Sequence, residues 1–169
     1  MVDTKDSEPS LGAVLWFAGL ALAGLVIAAM AFRALPVARE ALAVAEAVAP
    51  VYAADEWVQE GSGKWGTTPR RRQDIAVAGS GRGYLIVSPP RSLRVPDIDR
   101  LPQGIPLRFL IDPERRLIYE ARLGERVLLA YAKSAEALRN PALAVLAGSL
   151  AVAAAGGFGL WRRRAAFAG

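Results

Sequence analysis

The side chains best suited to chemistry are scarce in this sequence. Its 169 residues include no histidine and no cysteine. That removes the commonest general base and the commonest transition-metal ligand. It also removes disulfides, thiolate nucleophiles and cysteine-based metal sites. An enzyme built from what remains would need carboxylates such as Asp74, Asp97, Asp99 or Asp112, or a serine–lysine pair. Asp97 and Asp99 stand two apart in a proline-rich stretch, where solvated surface is the plainer reading. Lysine occurs only at Lys5, Lys64 and Lys133. Lys133 adjoins Ser134, but sequence neighbours on a helix or strand do not face each other. The expectation is a non-enzymatic chain with no cofactor and no metal site, and the sequence identifies no small-molecule substrate.

Two further motifs invite a ligand. Gly61, Gly63 and Gly66 spell G-x-G-x-x-G, but no strand precedes them and no helix pattern follows, so a dinucleotide site is rejected. Gly63-Lys64 is no phosphate loop either, because Trp65 stands where Ser or Thr must reach a metal ion. Arg70, Arg71 and Arg72 form the densest charge in the middle of the chain. They are candidates for anion or lipid-headgroup contact. The bland alternative is a solvated loop. Nucleic acid is disfavoured as a partner, because basic and aromatic residues are too little interleaved. Trp57 and Trp65 flank the glycine loop and read best as core residues of a small domain.

The elements that would position these residues follow from how the composition is segregated. The chain is 53% hydrophobic yet 22% charged, with a net charge of +5 carried almost wholly by arginine. Apolar residues crowd the two ends and charges fill the middle. Residues 1–10 form a polar tail, acidic on balance. Leu11–Phe32 holds no charge, and at ~1.5 Å per residue it makes a rod of roughly 33 Å, enough to cross a bilayer core. It is too long for a signal peptide, so it reads as an uncleaved transmembrane helix. Gly19 with Ala23 and Gly24 with Ala28 offer helix-packing faces.

Residues 33–50 read as a juxtamembrane amphipathic helix, with Pro36 near its start and Val37, Ala41, Val44 and Val48 on one stripe. Residues 51–133 read as a β domain with loops. Within it, Asp74–Ala78, Tyr84–Ser88, Leu107–Ile111, Leu117–Ala121 and Arg126–Tyr131 are the expected strands. Asp112-Pro113-Glu114-Arg115 has the residue types of a type I turn. Residues 134–140 read as a short helix capped by Ser134. Residues 141–161 read as a second transmembrane helix, with Asn140-Pro141 as its cap and first residue. Gly148, Gly156, Gly157 and Gly159 give it smooth packing faces. Trp161 and the basic tail 162–169, with Arg162, Arg163 and Arg164, mark an interface and a second possible anion or lipid contact.

The expected fold class is therefore an α+β membrane protein: two transmembrane helices flanking a small antiparallel β domain of about five strands, as a sheet or small barrel. Gly104–Glu120 (GIPLRFLIDPERRLIYE) and Leu123–Tyr131 (LGERVLLAY), followed by the second span, resemble uncharacterised bacterial two-span membrane proteins of the DUF3592-like type. That resemblance implies the span–β domain–span layout and implies no activity. The arginine cluster and the connection Pro89–Pro106 depart from that type.

The leading functional expectation is a membrane-anchored binding or accessory module in a bacterial inner membrane. Its partners would be the lipid bilayer and either a protein or a second copy of the chain. The arginine cluster beside the second span favours cytoplasmic termini and an extracytoplasmic β domain. The alternative is a cytoplasm-facing module that binds lipid or nucleic acid through Arg70–Arg72.

Overall fold

The computed structural model describes residues 11–48, 51, 53–60, 68–78, 84–90 and 93–167. The Gly61–Gly66 motif and Trp65 lie outside them. The chain divides into two compact units, one combining the chain up to Leu35 with the chain from Arg139 onward, the other spanning Pro36–Leu138.

The first unit is a pair of helices. α1 covers Leu11–Arg33, and α2 covers Tyr131–Phe167, whose first residues belong to the other unit. Both are long and apolar enough to cross a membrane. Gly24, Ala28 and Ala31 are buried on α1, and Ala142, Ser149 and Gly156 on α2. A Cβ placed on Gly24 would lie 2.6 Å from the Ala153 nitrogen and 2.7 Å from the Ser149 oxygen. One placed on Gly156 would lie 2.6 Å from the Ala21 nitrogen and 2.8 Å from the Phe17 oxygen. Backbone meets backbone at both points, and only glycine permits that approach. Gly159 sits directly against the Phe17 ring.

Only some of the small residues take part. Nothing lies within 4 Å of a Cβ on Gly19, Gly148 or Gly157, and Ala23 is exposed. The reason is angular. Each helical residue turns about 100°, so Gly148 and Gly157 point well away from the stripe through Ser149 and Gly156. Large apolar side chains, including Leu15, Trp16, Leu22, Met30, Phe158 and Trp161, are exposed on the outer faces of the pair.

α2 corrects the separate short helix 134–140 and the start of a span at Pro141. One helix runs through both segments, with Pro141 inside it, and continues through the basic tail to Phe167. Proline forfeits one backbone hydrogen bond. The alanine-rich sequence on either side makes that loss smaller than the loss from ending one helix and starting another.

Among the described residues the second unit holds seven strands in two antiparallel sheets, correcting the expectation of about five in one sheet or small barrel. The four-stranded sheet has the order β1 (Ala43–Val48), β5 (Pro106–Asp112), β6 (Leu117–Leu123), β7 (Arg126–Leu129). The three-stranded sheet has the order β2 (Ala53–Glu60), β3 (Thr68–Ala78), β4 (Tyr84–Val87). β7 ends at Leu129, and Tyr131, expected to close that strand, instead begins α2. A single parallel bridge joins the two sheets, in which Ser88 N–H donates to the Arg116 oxygen and Ile118 N–H donates to the Ser88 oxygen. One core serves both, built around Ile75, Val77, Val87, Leu107, Phe109 and Ile118.

β1 overturns the amphipathic helix expected over residues 33–50. The chain there makes a short 3₁₀ turn at Arg39–Ala41 and then the strand. Ala43–Val48 is alanine-rich and helix-prone, but it pairs along its whole length with Pro106–Ile111 and buries Ala45 in the core. Tertiary pairing overrides local propensity. The connection between β4 and β5 is equally structural. Val95 and Ile98 plug the core, and the buried Gln73 amide holds the strap like a sheet partner. Its Nε2 donates to the Val95 oxygen at 3.1 Å, and Val95 N–H donates to its Oε1 at 2.8 Å.

Two outcomes follow. Gly24→Leu or Gly156→Leu drives a side chain into backbone, so each is expected to destabilise the purified full-length chain by about 1–3 kcal/mol, read as a lower melting temperature in detergent. Gly19→Leu and Gly157→Leu should leave the melt unchanged, and equal melts for all four would refute this packing. Gln73→Ala leaves the Val95 amide and carbonyl unsatisfied and is expected to cost about 1–3 kcal/mol, measured by the same melt.

Candidate functional site

The site grows from one irregularity in β6. Leu110 pairs with Glu120, yet the next residue, Ile111, pairs with Ile118, so Tyr119 is an extra residue with no partner across the ladder. Ile118 and Ala121 both face the core. In a regular strand, residues three apart face opposite ways. The bulge reconciles the two, and it turns Tyr119 and Glu120 together toward the other face.

Tyr119 is completely buried there by the chain that enters this unit. Its hydroxyl accepts from Val37 N–H at 3.2 Å. Tyr131, at the start of α2, stacks on it with ring centroids 5.8 Å apart, and its hydroxyl donates to the Val37 oxygen at 2.8 Å. The two phenols thus hold both polar groups of one residue. Burial, reinforced by Tyr119 and Glu40 and opposed by Arg39, raises the Tyr131 phenol above its ordinary pKa. It therefore stays a neutral donor.

Two residues on from Val37, Arg39 reaches Glu120. Its Nη2 lies 3.0 and 2.9 Å from the two carboxylate oxygens. Arg122 Nε donates to Oε1 of the same carboxylate. The Glu120 side chain is 6% exposed, those of Arg39 and Arg122 48% and 38%. A buried carboxylate is thus paired with two half-exposed guanidinium groups. Arg108 stands opposite Arg122 in the register. It is exposed, and it has no partner among the described residues. Together with Glu40, Leu42, Val44 and Leu110, these residues line a groove of about 410 Å³ on the outer face of the four-stranded sheet.

The groove uses residues that motif reading passes over. Arg39 falls in the segment expected to be a juxtamembrane helix, and Arg108, Glu120 and Arg122 attract no attention singly. The Asp112–Arg115 turn alone gives no signal for them. Carried on regularly from Asp112 and Leu117, the register would set Leu110 opposite Tyr119 and Arg108 opposite Ala121, and only the bulge brings Leu110 to Glu120 and Arg108 to Arg122.

The residues singled out from sequence lie elsewhere. Arg70, Arg71 and Arg72 are part of β3, not a loop. Arg71 pairs with Asp55 at 3.2 Å and lies 6.0 Å from the centre of the exposed Trp57 ring. Arg94 joins the same carboxylate. Arg72 pairs with Asp74 at 2.7 Å, and Ser88 Oγ donates to that carboxylate too. The Arg70 and Arg164 side chains lie outside the described set. Arg162 is exposed, and Arg163 lies over the Phe17 ring at 5.3 Å. Asp112 accepts from Glu114 and Arg115 N–H at 3.1 Å each, as its turn requires. Asp97 sits at a left-handed backbone position with φ 53°. Ser134 is fully buried within α2 and Lys133 is exposed. Arg71, Arg72, Asp74, Asp97 and Asp112 do not line the groove.

Compared with known proteins, the chain matches no family model, no curated protein and no solved structure. The reading of the groove therefore rests on its geometry.

Replacing Glu120 by Gln should loosen Arg39 and Arg122 and lower stability by about 1–3 kcal/mol, a buried-pair cost reduced because both arginines are half in water. Glu40→Gln, at an exposed position, should leave the melt unchanged. Equal melts for the two variants would show that Glu120 does not hold the groove together.

Proposed function

We propose that this chain is a non-enzymatic, membrane-anchored binding or accessory module, with α1 and the Pro141–Trp161 part of α2 in a bacterial inner membrane. The observation that carries the reading is the distribution of side-chain size on the helix pair. Glycine, alanine and serine make the closest contact, with Phe17 against Gly159, while Leu15, Trp16, Leu22, Met30, Phe32, Phe158 and Trp161 face outward. A helix of a water-soluble fold buries its large apolar residues, whereas lipid removes that demand and rewards close backbone packing. Neither span carries an ionisable residue between Leu11 and Phe32 or between Pro141 and Trp161, which speaks against ion or proton transport along the pair. The β unit, with its groove, is then the part that recognises a partner.

The preferred topology has cytoplasmic termini and the β unit outside, supported by the arginines following Trp161. The cytoplasm-facing alternative, with lipid or nucleic acid on Arg70–Arg72, is weaker because Arg71 and Arg72 already have carboxylate partners.

Carbonate washing of bacterial membranes that carry the full chain tests the anchor. The protein is expected to stay in the pellet, and release into the wash would overturn the reading. The cysteine-free sequence makes topology direct. Glu114→Cys, in the exposed β5–β6 turn, should react with an impermeant maleimide added to intact spheroplasts. Labelling only after lysis would move the β unit to the cytoplasm.

A further inference from the structure

We propose that the outer-face groove binds an amphiphilic anion, a carboxylate or phosphate group carried on an apolar chain. The inference rests on reading the β unit as a binding module and names the chemistry of its ligand.

Three guanidinium groups and two carboxylates line the groove, but they are not equivalent. Glu120 is consumed. Its two oxygens take Arg39 and Arg122, and its side chain is nearly out of water. It works as a brace, holding two long side chains that would otherwise sample many rotamers. Neither arginine is saturated by it. Arg39 uses only Nη2 and Arg122 only Nε toward Glu120, so each keeps most of its five N–H donors. Arg108 stands in the ladder between Arg122 on one side and the exposed Glu46 on the other, and makes no hydrogen bond or ion pair among the described residues. The groove lining therefore carries a net positive charge, with the exposed Glu40 its one unengaged carboxylate and Glu46 flanking Arg108 outside the lining. Forked donors of this kind match carboxylate and phosphate oxygens.

The other lining residues are apolar. Leu42 is buried, Val44 is half exposed, and Leu110 lies between Val44 and Glu120 across the sheet. A bare inorganic anion would leave that surface wet, whereas an anionic head with an alkyl or acyl chain would cover it. A volume of about 410 Å³ falls at the small end of the ~300–1,000 Å³ typical of ligand pockets. It suits one head group and a short length of chain. A lipid head group and a free amphiphile such as a fatty acid share this chemistry.

The test is titration of the purified full-length chain, in a neutral maltoside detergent, with octyl phosphate, and separately with inorganic phosphate. Octyl phosphate should bind at least about tenfold more tightly than inorganic phosphate, because of the apolar floor. Arg108→Gln should weaken octyl phosphate binding by about tenfold or more, with the melt little changed, because Arg108 faces only the exposed Glu46 and Arg122 across its ladders. Arg100→Gln, at an exposed arginine outside the groove, should bind like the unaltered chain. No binding, or equal affinity with and without Arg108, overturns the proposal.

Nanodiscs distinguish the source. Phosphatidylglycerol should compete with octyl phosphate if the occupant is a lipid head group. Affinity equal in phosphatidylglycerol and phosphatidylcholine discs would assign the groove to a free amphiphile. A chain that resists carbonate extraction but ignores octyl phosphate would keep the membrane-anchored reading and refute this one. A chain that binds octyl phosphate but washes off membranes would do the reverse.

Discussion

One extra residue in β6 sets the arrangement of the whole β unit. Ile118 and Ala121 must both face the core, and the strand accommodates them only by bulging at Tyr119. The bulge places a large aromatic and a carboxylate side by side on the outer face. Both would be costly to bury alone, and both have partners in the segment from Pro36 to Ala41. Tyr119 meets the Val37 amide and Glu120 meets Arg39. The segment is thereby held on the sheet by three polar contacts, beside a stacked tyrosine pair. Tyr131 completes the tie by donating to the Val37 oxygen. The groove exists because this segment lies along the sheet and raises one wall.

The helix pair obeys a different constraint. Its contact is made by the absence of side chains at Gly24 and Gly156, where one backbone lies against the other. A single methyl group at either point would separate them. Around this seam the surface is almost entirely apolar. The two units therefore illustrate opposite solutions, with large residues inside the β core and small residues inside the helix pair. The proposed lipid surroundings account for the second.

Much of this was legible in the sequence where one local signal dominates. α1 matches Leu11–Phe32 to within a residue. The β5–turn–β6–β7 meander is announced by alternation and by Asp112-Pro113, and the Asp112 carboxylate caps its turn as expected. What was missed depends on partners distant in sequence. β1 reads as a helix because Ala, Val and Glu suit one, and only pairing with β5 makes it a strand. β2 and the start of β3 carry charge rather than alternation. Their signal was complementary: Trp57 pairs with Arg71 and Glu56 with Arg72 across the ladder, while Asp55 reaches over to Arg71. That same pairing turned a supposed loop of three cations into a strand in which Arg71 and Arg72 have carboxylate partners. Among the glycines, composition named candidates, but angular position selected Gly24, Gly156 and Gly159. The groove was illegible for a sharper reason. No periodicity predicts a bulge, and without it Tyr119 and Glu120 would face opposite ways.

The account therefore turns on Tyr119 and Glu120 facing outward together and holding the incoming chain. Amide hydrogen exchange at Val37, resolved to the single residue by NMR on the full chain in detergent, tests this most directly. The Val37 N–H donates only to the Tyr119 hydroxyl. It should exchange slowly in the unaltered chain and much faster after Tyr119→Phe, while Phe109 in the core keeps its protection. A Val37 amide that exchanges at the rate of open chain in both proteins would contradict the account.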